Sequence, residues 1–412
     1  MGSLLCKAFP ASSPAGGWSA LPPELADLVL RRLSSLADRV RFASVCRHWF
    51  RAATRYSAPT LPRPLPWLNF HDGSFRSLPD GEPHSFRFRR HAVCAGSFGR
   101  WFLFEEAAGC EPSRRHFLRH PLLGTTKRLP GRCNEPVDLL NPDYGSSHAG
   151  SRSSSTKFFI SKVIVCSGDL IAAKVNYRRR RPCTVVCCRP GVSPSWSTGM
   201  CNGHWYHDMA FYKGKLYTVT EEGHLFVHEV IDNGGDGDPR VSLIEQAIQA
   251  PPPSKYALLD GPYATLDRVR TCYLVISCDN KLLMVRLMLR WTVPFDQHGP
   301  GDRRTKRMAM KVFEADLETS RWVELKSLGD QVLFVSSCSS KAVRASSHAH
   351  CRYLRGNTIY FIDDGLMSSC QLCPISMPRT CGVYDMSSDT VSSISLGGER
   401  INDQLKASWF FP

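Results

Sequence analysis

The feature that most constrains the fold is a change in the spacing of apolar residues near residue 66. Between Leu21 and Tyr56, apolar residues recur every three or four positions, which predicts amphipathic helices. From Trp67 onward, short aromatic and β-branched runs separated by turn residues predict strands. Residues 61–66 are rich in proline, which fixes φ and interrupts helices, so they predict a stiff linker. The chain is therefore predicted to be a small helical module followed by a large β domain.

This pattern divides the chain into four segments. Residues 1–17 are mostly Gly, Ser, Ala and Pro, and they predict a disordered leader. Residues 18–58 form the helical module, residues 59–66 the linker, and residues 67–412 the β domain.

Composition limits the class of protein. The chain has 412 residues, 42% of them hydrophobic and 22% charged, which is typical of packed domains. Its net charge of +15 permits an acidic partner without selecting one. No apolar run approaches the roughly 18 residues that a spanning helix needs, and no signal peptide is visible. The odd number of cysteines, 17, favours reduced thiols. We therefore expect an intracellular protein, nuclear or cytoplasmic, without a membrane partner.

The helical module has more apolar surface than its length can bury. Pro22 and Pro23 suit the start of a first helix, and Ser35 with Asp38 predicts the start of the next. Five apolar residues at helical spacing predict one further helix with an apolar face, namely Phe42, Val45, Cys46, Trp49 and Phe50. About 36 residues make a marginal domain, so part of this surface is expected to dock on a partner or on the second domain. A helical hairpin that merely packs on the large domain is the alternative.

Residues 21–53 resemble an F-box. The resemblance rests on Leu21-Pro22 with Glu24, on Asp38-Arg39, and on the ending Val45-Cys46-Arg47 with Trp49. Phe50 departs mildly from the family pattern, which often has a small or basic residue there. The resemblance implies a three-helix module that binds the Skp1 adaptor of a cullin–RING ubiquitin ligase. The implied adaptor-binding residues are Leu21, Pro22, Leu25, Leu28, Leu33, Val45, Cys46 and Trp49.

The β domain contains a loose repeat. One unit covers residues 209–220 and 223–230, and a second covers residues 353–364 and 381–386. Units of about 40–50 residues with four short strands are typical of β-propellers. About 345 residues would hold six to eight such blades. A pair of large β-sandwiches fits the same pattern and stays an alternative.

The β domain also resembles the plant DUF295 domain, the β-propeller of the KIB1–4 type, which commonly follows an F-box. The order of short segments along residues 67–412 carries this resemblance, among them residues 99–104, 211–217, 320–325 and 409–412. It implies a mainly β plant protein with a small α N-terminal module, namely a three-helix F-box followed by a propeller of six to eight blades.

Three other clusters contain residue types that catalysis, metal binding or nucleic-acid binding can use. His204, His207 and Asp208 could serve acid–base catalysis, but no nucleophile motif accompanies them, and a hydrogen-bonded loop is the favoured interpretation. Cys370-x-x-Cys373 lacks the second pair of a structural zinc site. The run Arg178 to Arg181 lacks the interleaved aromatic residues of nucleic-acid binders. We therefore expect no catalytic residue, metal, cofactor or nucleic-acid partner.

The leading hypothesis is a non-catalytic substrate receptor of an SCF-type E3 ubiquitin ligase. The helices would bind a Skp1-like adaptor and through it a cullin–RING ligase, while the propeller would hold an unidentified protein target. A scaffold that binds a signalling partner without assembling a ligase is the second hypothesis. An enzyme that uses His204, His207 and Asp208 is the third.

Overall fold

The structure is a computed structural model. It describes residues 21–33, 35–55, 64–78, 81–85, 92–106, 115–121, 124–133, 137–138, 158–166, 170–177, 183–198, 200–201, 203–231, 239–251, 263–294, 305–348, 351, 354–363, 380–396, 399–400 and 407–412. The predicted leader, the run Arg178 to Arg181, and the pair Cys370 and Cys373 lie outside the described residues.

Three short helices form the N-terminal module: α1 (Pro23–Arg32), α2 (Leu36–Ser44) and α3 (Arg47–Arg55). Proline opens α1, where a missing N–H costs nothing. Glu24 lies in its first turn and Arg31 and Arg32 in its last, which suits the helix dipole. The three-helix expectation is confirmed.

Two details of the helical prediction were wrong. The stripe from Phe42 to Phe50 does not lie on one helix, because α2 ends before Val45 and α3 begins at Arg47. Ser35 precedes α2 as its N-cap, but its side chain makes no capping hydrogen bond. Its hydroxyl oxygen is instead buried, with no hydrogen-bond partner among the described residues.

The rest of the described chain is almost entirely strands. In chain order they are β1 (Trp67–Asn69), β2 (Ser74–Ser77), β3 (Pro83–Ser85), β4 (Ala92–Phe98), β5 (Trp101–Glu106), β6 (Arg115–Arg119), β7 (Thr126–Leu129), β8 (Val137–Asp138), β9 (Phe158–Val165), β10 (Ile171–Tyr177), β11 (Thr184–Cys188), β12 (Ser197–Thr198), β13 (Met200–Cys201), β14 (Tyr206–Tyr212), β15 (Lys215–Thr220), β16 (Leu225–Ile231), β17 (Arg240–Ile248), β18 (Tyr263–Ile276), β19 (Leu282–Pro294), β20 (Thr305–Asp316), β21 (Arg321–Leu325), β22 (Gln331–Ser336), β23 (Lys341–Arg344), β24 (Thr358–Asp363), β25 (Thr380–Asp385), β26 (Thr390–Ser392), β27 (Ser395–Leu396), β28 (Glu399–Arg400) and β29 (Ser408–Phe410).

These strands build a six-bladed β-propeller. Blade 1 has the strand order β29-β1-β2-β3, and blades 2 to 5 are the sheets β4–β7, β9–β12, β14–β17 and β18–β21. Blade 6 has five strands in the order β23-β22-β24-β25-β26. The prediction of a propeller is therefore confirmed with six blades, the lower end of the predicted range.

The core of the domain lies between the blades rather than within one sheet. Each pair of successive blades encloses its own apolar cluster, including the pair formed by blades 6 and 1. Between blades 3 and 4, for example, Val185 on β11 and Phe226 on β16 belong to one cluster. Because every blade shares apolar surface with two neighbours, the ring has no end blade that is exposed to water.

The two ends of the domain meet in blade 1. The C-terminal strand β29 is its innermost strand and pairs antiparallel with β1, which places Leu68 opposite Trp409. Leu65, from the predicted linker, is buried with Trp409 in the cluster between blades 6 and 1. The last residues of this segment therefore pack as part of the propeller.

Blade 6 departs from the regular blade pattern. β22 pairs antiparallel with β23 but parallel with β24, so the hairpin β22–β23 is inserted at the centre of the ring. The tip of this hairpin reaches the opposite side of the axis. There Cys338 packs in the cluster between blades 2 and 3, and the backbone N–H of Gly99 donates to Ser339 Oγ at 3.2 Å.

Candidate functional site

The helical module has a small core of its own. Ala26, Leu30, Phe42 and Ala52 are buried there. The ring of Trp49 stacks on that of Phe42 with centroids 4.4 Å apart. The side chain of Trp49 therefore closes this core on one side.

The surface of the module exposes apolar residues. Leu25 and Leu28 on α1 are 47% and 46% exposed, and Val45, between α2 and α3, is 53% exposed. Three further residues share this exposure, namely Val29, Val40 and Phe50. We call Leu25, Leu28, Val29, Val40, Val45 and Phe50 the exposed apolar residues of the module.

The eight predicted adaptor-binding residues therefore divide into two groups. Pro22, Leu25, Leu28 and Val45 are exposed. The other four are partly buried, namely Leu21, Leu33, Cys46 and Trp49. Of these, Leu21, Leu33 and Trp49 pack against the core of the module. The predicted adaptor-binding set leaves out three exposed apolar residues of the module, namely Val29, Val40 and Phe50.

The module is held against the propeller through α2. Leu36 and Ala37 pack on the cluster between blades 1 and 2, which contains Trp67 and Phe75. Arg41 Nη1 donates to Glu82 Oε2 at 2.8 Å, and Glu82 lies in the turn between β2 and β3. We call this end of the ring the module face.

Strand directions place other segments at the same face. The end of β29 and the start of β1 lie there, because Phe410 pairs with Trp67 and Trp67 pairs with Ser77 at the end of β2. The turn after β4 also lies there, since the N–H of Phe411 donates to Gly99 O at 3.1 Å. The innermost strands β4, β9 and β14 therefore begin at the opposite end of the ring, the far face.

Exposed apolar side chains also occur on the far face. Val93 near the start of β4 is 68% exposed, Phe159 near the start of β9 is 40% exposed, and Trp205 just before β14 is 37% exposed. These three residues belong to successive blades and surround one end of the central channel. Exposed apolar surface on a folded domain favours contact with another macromolecule.

The most enzyme-like cluster of the sequence has a structural role in the channel wall. Asp208 on β14 is fully buried and accepts hydrogen bonds from Lys162 Nζ on β9 at 2.6 Å and from the N–H of Leu274 on β18 at 2.8 Å. Its carboxylate also accepts from the N–H of Met209 at 2.8 Å. One side chain therefore connects the innermost strands of blades 3, 4 and 5.

His207 is also occupied by the fold. Its Nδ1 accepts a hydrogen bond from the N–H of Cys272 at 3.1 Å. Burial, together with the nearby Lys174 ammonium, lowers the pKa of His207 to about 4. Lys174 itself donates to the carbonyl oxygen of His207 at 2.5 Å. These contacts make His207 and Asp208 a hydrogen-bonded junction, but the two residues lie on β14 and not in the loop that the sequence predicted.

The other candidate clusters are dispersed or packed. Cys183, Cys187 and Cys188 are buried between strands, and none of the described cysteines forms a disulfide. Within the described residues, no group of three or more His, Cys, Asp or Glu side chains is arranged to hold a metal ion. Arg307, in a segment rich in Arg and Lys at residues 303–307, forms an ion pair with Asp389. In the described part of the chain, no helix is long and apolar enough to cross a membrane.

Fold and module together define a class of protein: an F-box-like helical module joined to a six-bladed propeller. Comparison with known families agrees. The sequence model of the KIB1-4 beta-propeller matches residues 75–385, and the F-box-like model matches residues 18–57. The chain therefore belongs to the KIB1-4 β-propeller family and is a plant-type F-box protein.

Curated relatives match this chain along most of their length. F-box protein At2g26160 of Arabidopsis thaliana is 24% identical over 358 residues, which cover 84% of this chain and 96% of that protein. Putative F-box protein At3g25750 of the same plant is 24% identical, with coverage of 84% and 87%. F-box protein SKIP23 of Arabidopsis thaliana is 22% identical over an alignment that covers 95% of this chain and 94% of that protein.

Proposed function

We propose that this protein is the substrate-receptor subunit of an SCF-type E3 ubiquitin ligase. The helical module would bind a Skp1-type adaptor, and the propeller would hold a protein target. The contribution to catalysis would be proximity, which raises the effective concentration of the target near the E2 enzyme without a catalytic residue in this chain.

The observation that carries the proposal is the exposure of the apolar residues of the module. Leu25, Leu28 and Val45 remain in water although the module already has a closed core on its other side. Burying a leucine side chain in a partner contributes about 1.5–3 kcal/mol. A helix pair with such a surface fits the groove of a helical partner.

The fixed position of the module supports the same proposal. α2 contributes Leu36 and Ala37 to a propeller cluster, and Arg41 bonds to Glu82 on the propeller. Because the module is packed on one face of the ring, an adaptor bound to it would hold the propeller in a set orientation. The exposed residues of the far face, Val93, Phe159 and Trp205, are then available for a target.

The test is binding of purified full chain to a recombinant Skp1-type adaptor. The double variant Leu25→Asp with Leu28→Asp should weaken binding by at least about 100-fold, because two buried apolar contacts are replaced by charges. Trp49 is unsuitable for this test, since its ring stacks on Phe42 in the module core. Both leucines are about half exposed, so the variant should keep the melting temperature of the parent chain.

The matched control is Val192→Asp with Val323→Asp, which places the same two charges at exposed positions on the propeller. It should bind the adaptor as the parent chain does. Equal binding by the Leu25 and Leu28 variant and by this control would contradict the proposal. Adaptor binding without recruitment of a cullin would instead favour a scaffold that does not assemble a ligase.

A further inference from the structure

One exposed tryptophan of the far face is held in place while its indole stays open. Trp205 is 37% exposed, and among the described residues no aromatic ring or cation contacts its indole and no acceptor takes its Nε1–H. Its neighbours are fixed. The rings of His204 and Phe226 lie 4.7 Å apart, and the N–H of Tyr206 donates to Cys183 Sγ at 2.8 Å. The indole is therefore presented at the surface with a free donor.

Two carboxylates lie beside this tryptophan. The last registered pair of the hairpin β14–β15 joins Tyr206 to Thr220. Trp205 and Glu221 are the next residues beyond that pair, so their Cα atoms lie within about 13 Å of each other. Glu222 follows in the same turn and is exposed. Neither glutamate forms an ion pair with a described residue. We call Trp205, Glu221 and Glu222 the Trp205 surface.

The backbone of this turn is fixed by the neighbouring blade. The carbonyl oxygens of residues 221, 222 and 223 accept hydrogen bonds from Cys272 Sγ, the Arg286 guanidinium and Trp322 Nε1, all in blade 5. Gly223 adopts φ +96°, a conformation that favours glycine. Both carboxylates therefore project from a turn that is ordered before a partner arrives, which lowers the entropy cost of binding.

Two buried cations stand behind the turn. Arg286 and Lys174 are each 6% exposed, and they donate to the backbone carbonyl oxygens of Glu222 and His207, respectively. They offset part of the carboxylate charge at a distance. A partner at the surface touches the carboxylates and the indole rather than these cations. Recognition at the Trp205 surface therefore depends on direct contact and not on a long-range field.

We propose that the Trp205 surface binds an arginine side chain of the protein target. A planar guanidinium stacks on an indole face while its N–H groups donate to a carboxylate. Tryptophan and arginine are also among the residues that most often dominate the energy of an interface. The free indole N–H can donate to a backbone carbonyl oxygen of the same target segment. This inference rests on the proposed function, because it states the chemistry by which the propeller would recognise its target.

The test follows the indole N–H signals of the full chain, labelled with nitrogen-15 in tryptophan, by NMR. The chain has nine tryptophans, and the signal that is lost in Trp205→Phe identifies Trp205. The probe is the peptide acetyl-Leu-Arg-Leu-amide. Its matched control carries citrulline, which has the shape of arginine without the charge. We expect the arginine peptide to shift the Trp205 signal with a dissociation constant of about 1 mM, and the citrulline peptide to bind at least about tenfold more weakly.

Variants of the chain test the carboxylates. Glu221→Gln with Glu222→Gln should weaken binding of the arginine peptide at least about threefold. The matched control is Glu229→Gln with Glu318→Gln, which removes two exposed carboxylates outside this turn. It should leave the dissociation constant within about twofold. The other indole signals should keep their positions in both variants, which shows that the variants are folded.

Three results would overturn the proposal. One is the absence of a shift of the Trp205 signal with the arginine peptide. Another is equal binding of the citrulline peptide, which would mean that the surface recognises apolar contact alone. The last is equal weakening in both double variants, which would assign binding to the net charge of the chain. The adaptor-binding variant Leu25→Asp with Leu28→Asp should bind the arginine peptide as the parent chain does, so failure of this test is distinct from failure of the ligase proposal.

Discussion

At the scale of single residues, the channel wall shows how one buried charge can organise several blades. Asp208 is fully buried and accepts three hydrogen bonds, one each from blades 3, 4 and 5. A sequence pattern can mark such a residue as unusual, as His204 to Asp208 did. It cannot show that the partners are Lys162 and Leu274, because these lie 46 and 66 positions away.

The first prediction concerns this junction. Asp208→Asn should lower the free energy of unfolding by about 3–5 kcal/mol, because it leaves the buried Lys162 ammonium without its counter-charge. The comparison variant is Glu229→Gln, which breaks the ion pair with Lys215 at a half-exposed position. It should cost less than about 1 kcal/mol. Urea denaturation measures both, and similar values for the two variants would refute a central role for Asp208.

At the scale of elements, strand existence was easier to predict than strand length. The pattern of residues 158–165 predicts a strand that coincides with β9, and the pattern of residues 358–362 predicts a strand one residue shorter than β24. The pattern predicts a third strand over residues 282–285, where Arg286 ends the apolar run, but β19 continues to Pro294. Arg286 is nevertheless buried, since its guanidinium donates to the carbonyl oxygen of Glu222 in the neighbouring blade.

A prediction at this scale concerns strand β29, which closes the ring by pairing with β1. Trp409 on β29 is fully buried, its ring lies 5.2 Å from that of Phe334, and its Nε1–H donates to Val335 O at 3.1 Å. We expect Trp409→Ala to cost about 3–5 kcal/mol of unfolding free energy. Trp205→Ala, at an exposed tryptophan of the far face, should cost clearly less. Denaturant midpoints that shift equally would show that β29 does not secure the ring.

At the scale of the whole molecule, the two predicted domains share a core. The sequence separates them at a proline-rich segment, but Leu65 from that segment packs with Trp409, and Leu36 and Ala37 from the module pack near Trp67. The module therefore covers part of the cluster between blades 1 and 2.

This sharing predicts the outcome of removing the module. A chain of residues 61–412 should melt at a lower temperature than the full chain, because the surface under Leu36 and Ala37 becomes exposed to water. Leu36→Glu in the full chain should lower the melting temperature in the same direction. A chain that lacks residues 1–20 keeps all three helices and serves as the control. Identical melting curves for residues 61–412 and for the full chain would show that the domains fold independently.

The local sequence pattern was sufficient to predict that a helical module precedes a propeller in the chain. The change from helical to strand periodicity, the turn residues and the F-box pattern depend on neighbouring residues, so they can be read along the chain. The propeller and its three-helix module followed from them. Sequence alone did not separate exposed Leu25 and Leu28 from the partly buried Leu33 and Trp49 of the module.

Tertiary structure decided what depends on residues far apart. The ring closes because β29 pairs with β1, and the tip of the hairpin β22–β23 packs in the cluster between blades 2 and 3. The junction at Asp208 and the shared core under α2 arise in the same way. Periodicity reports which face of an element is apolar, whereas closure of a ring fixes which faces meet.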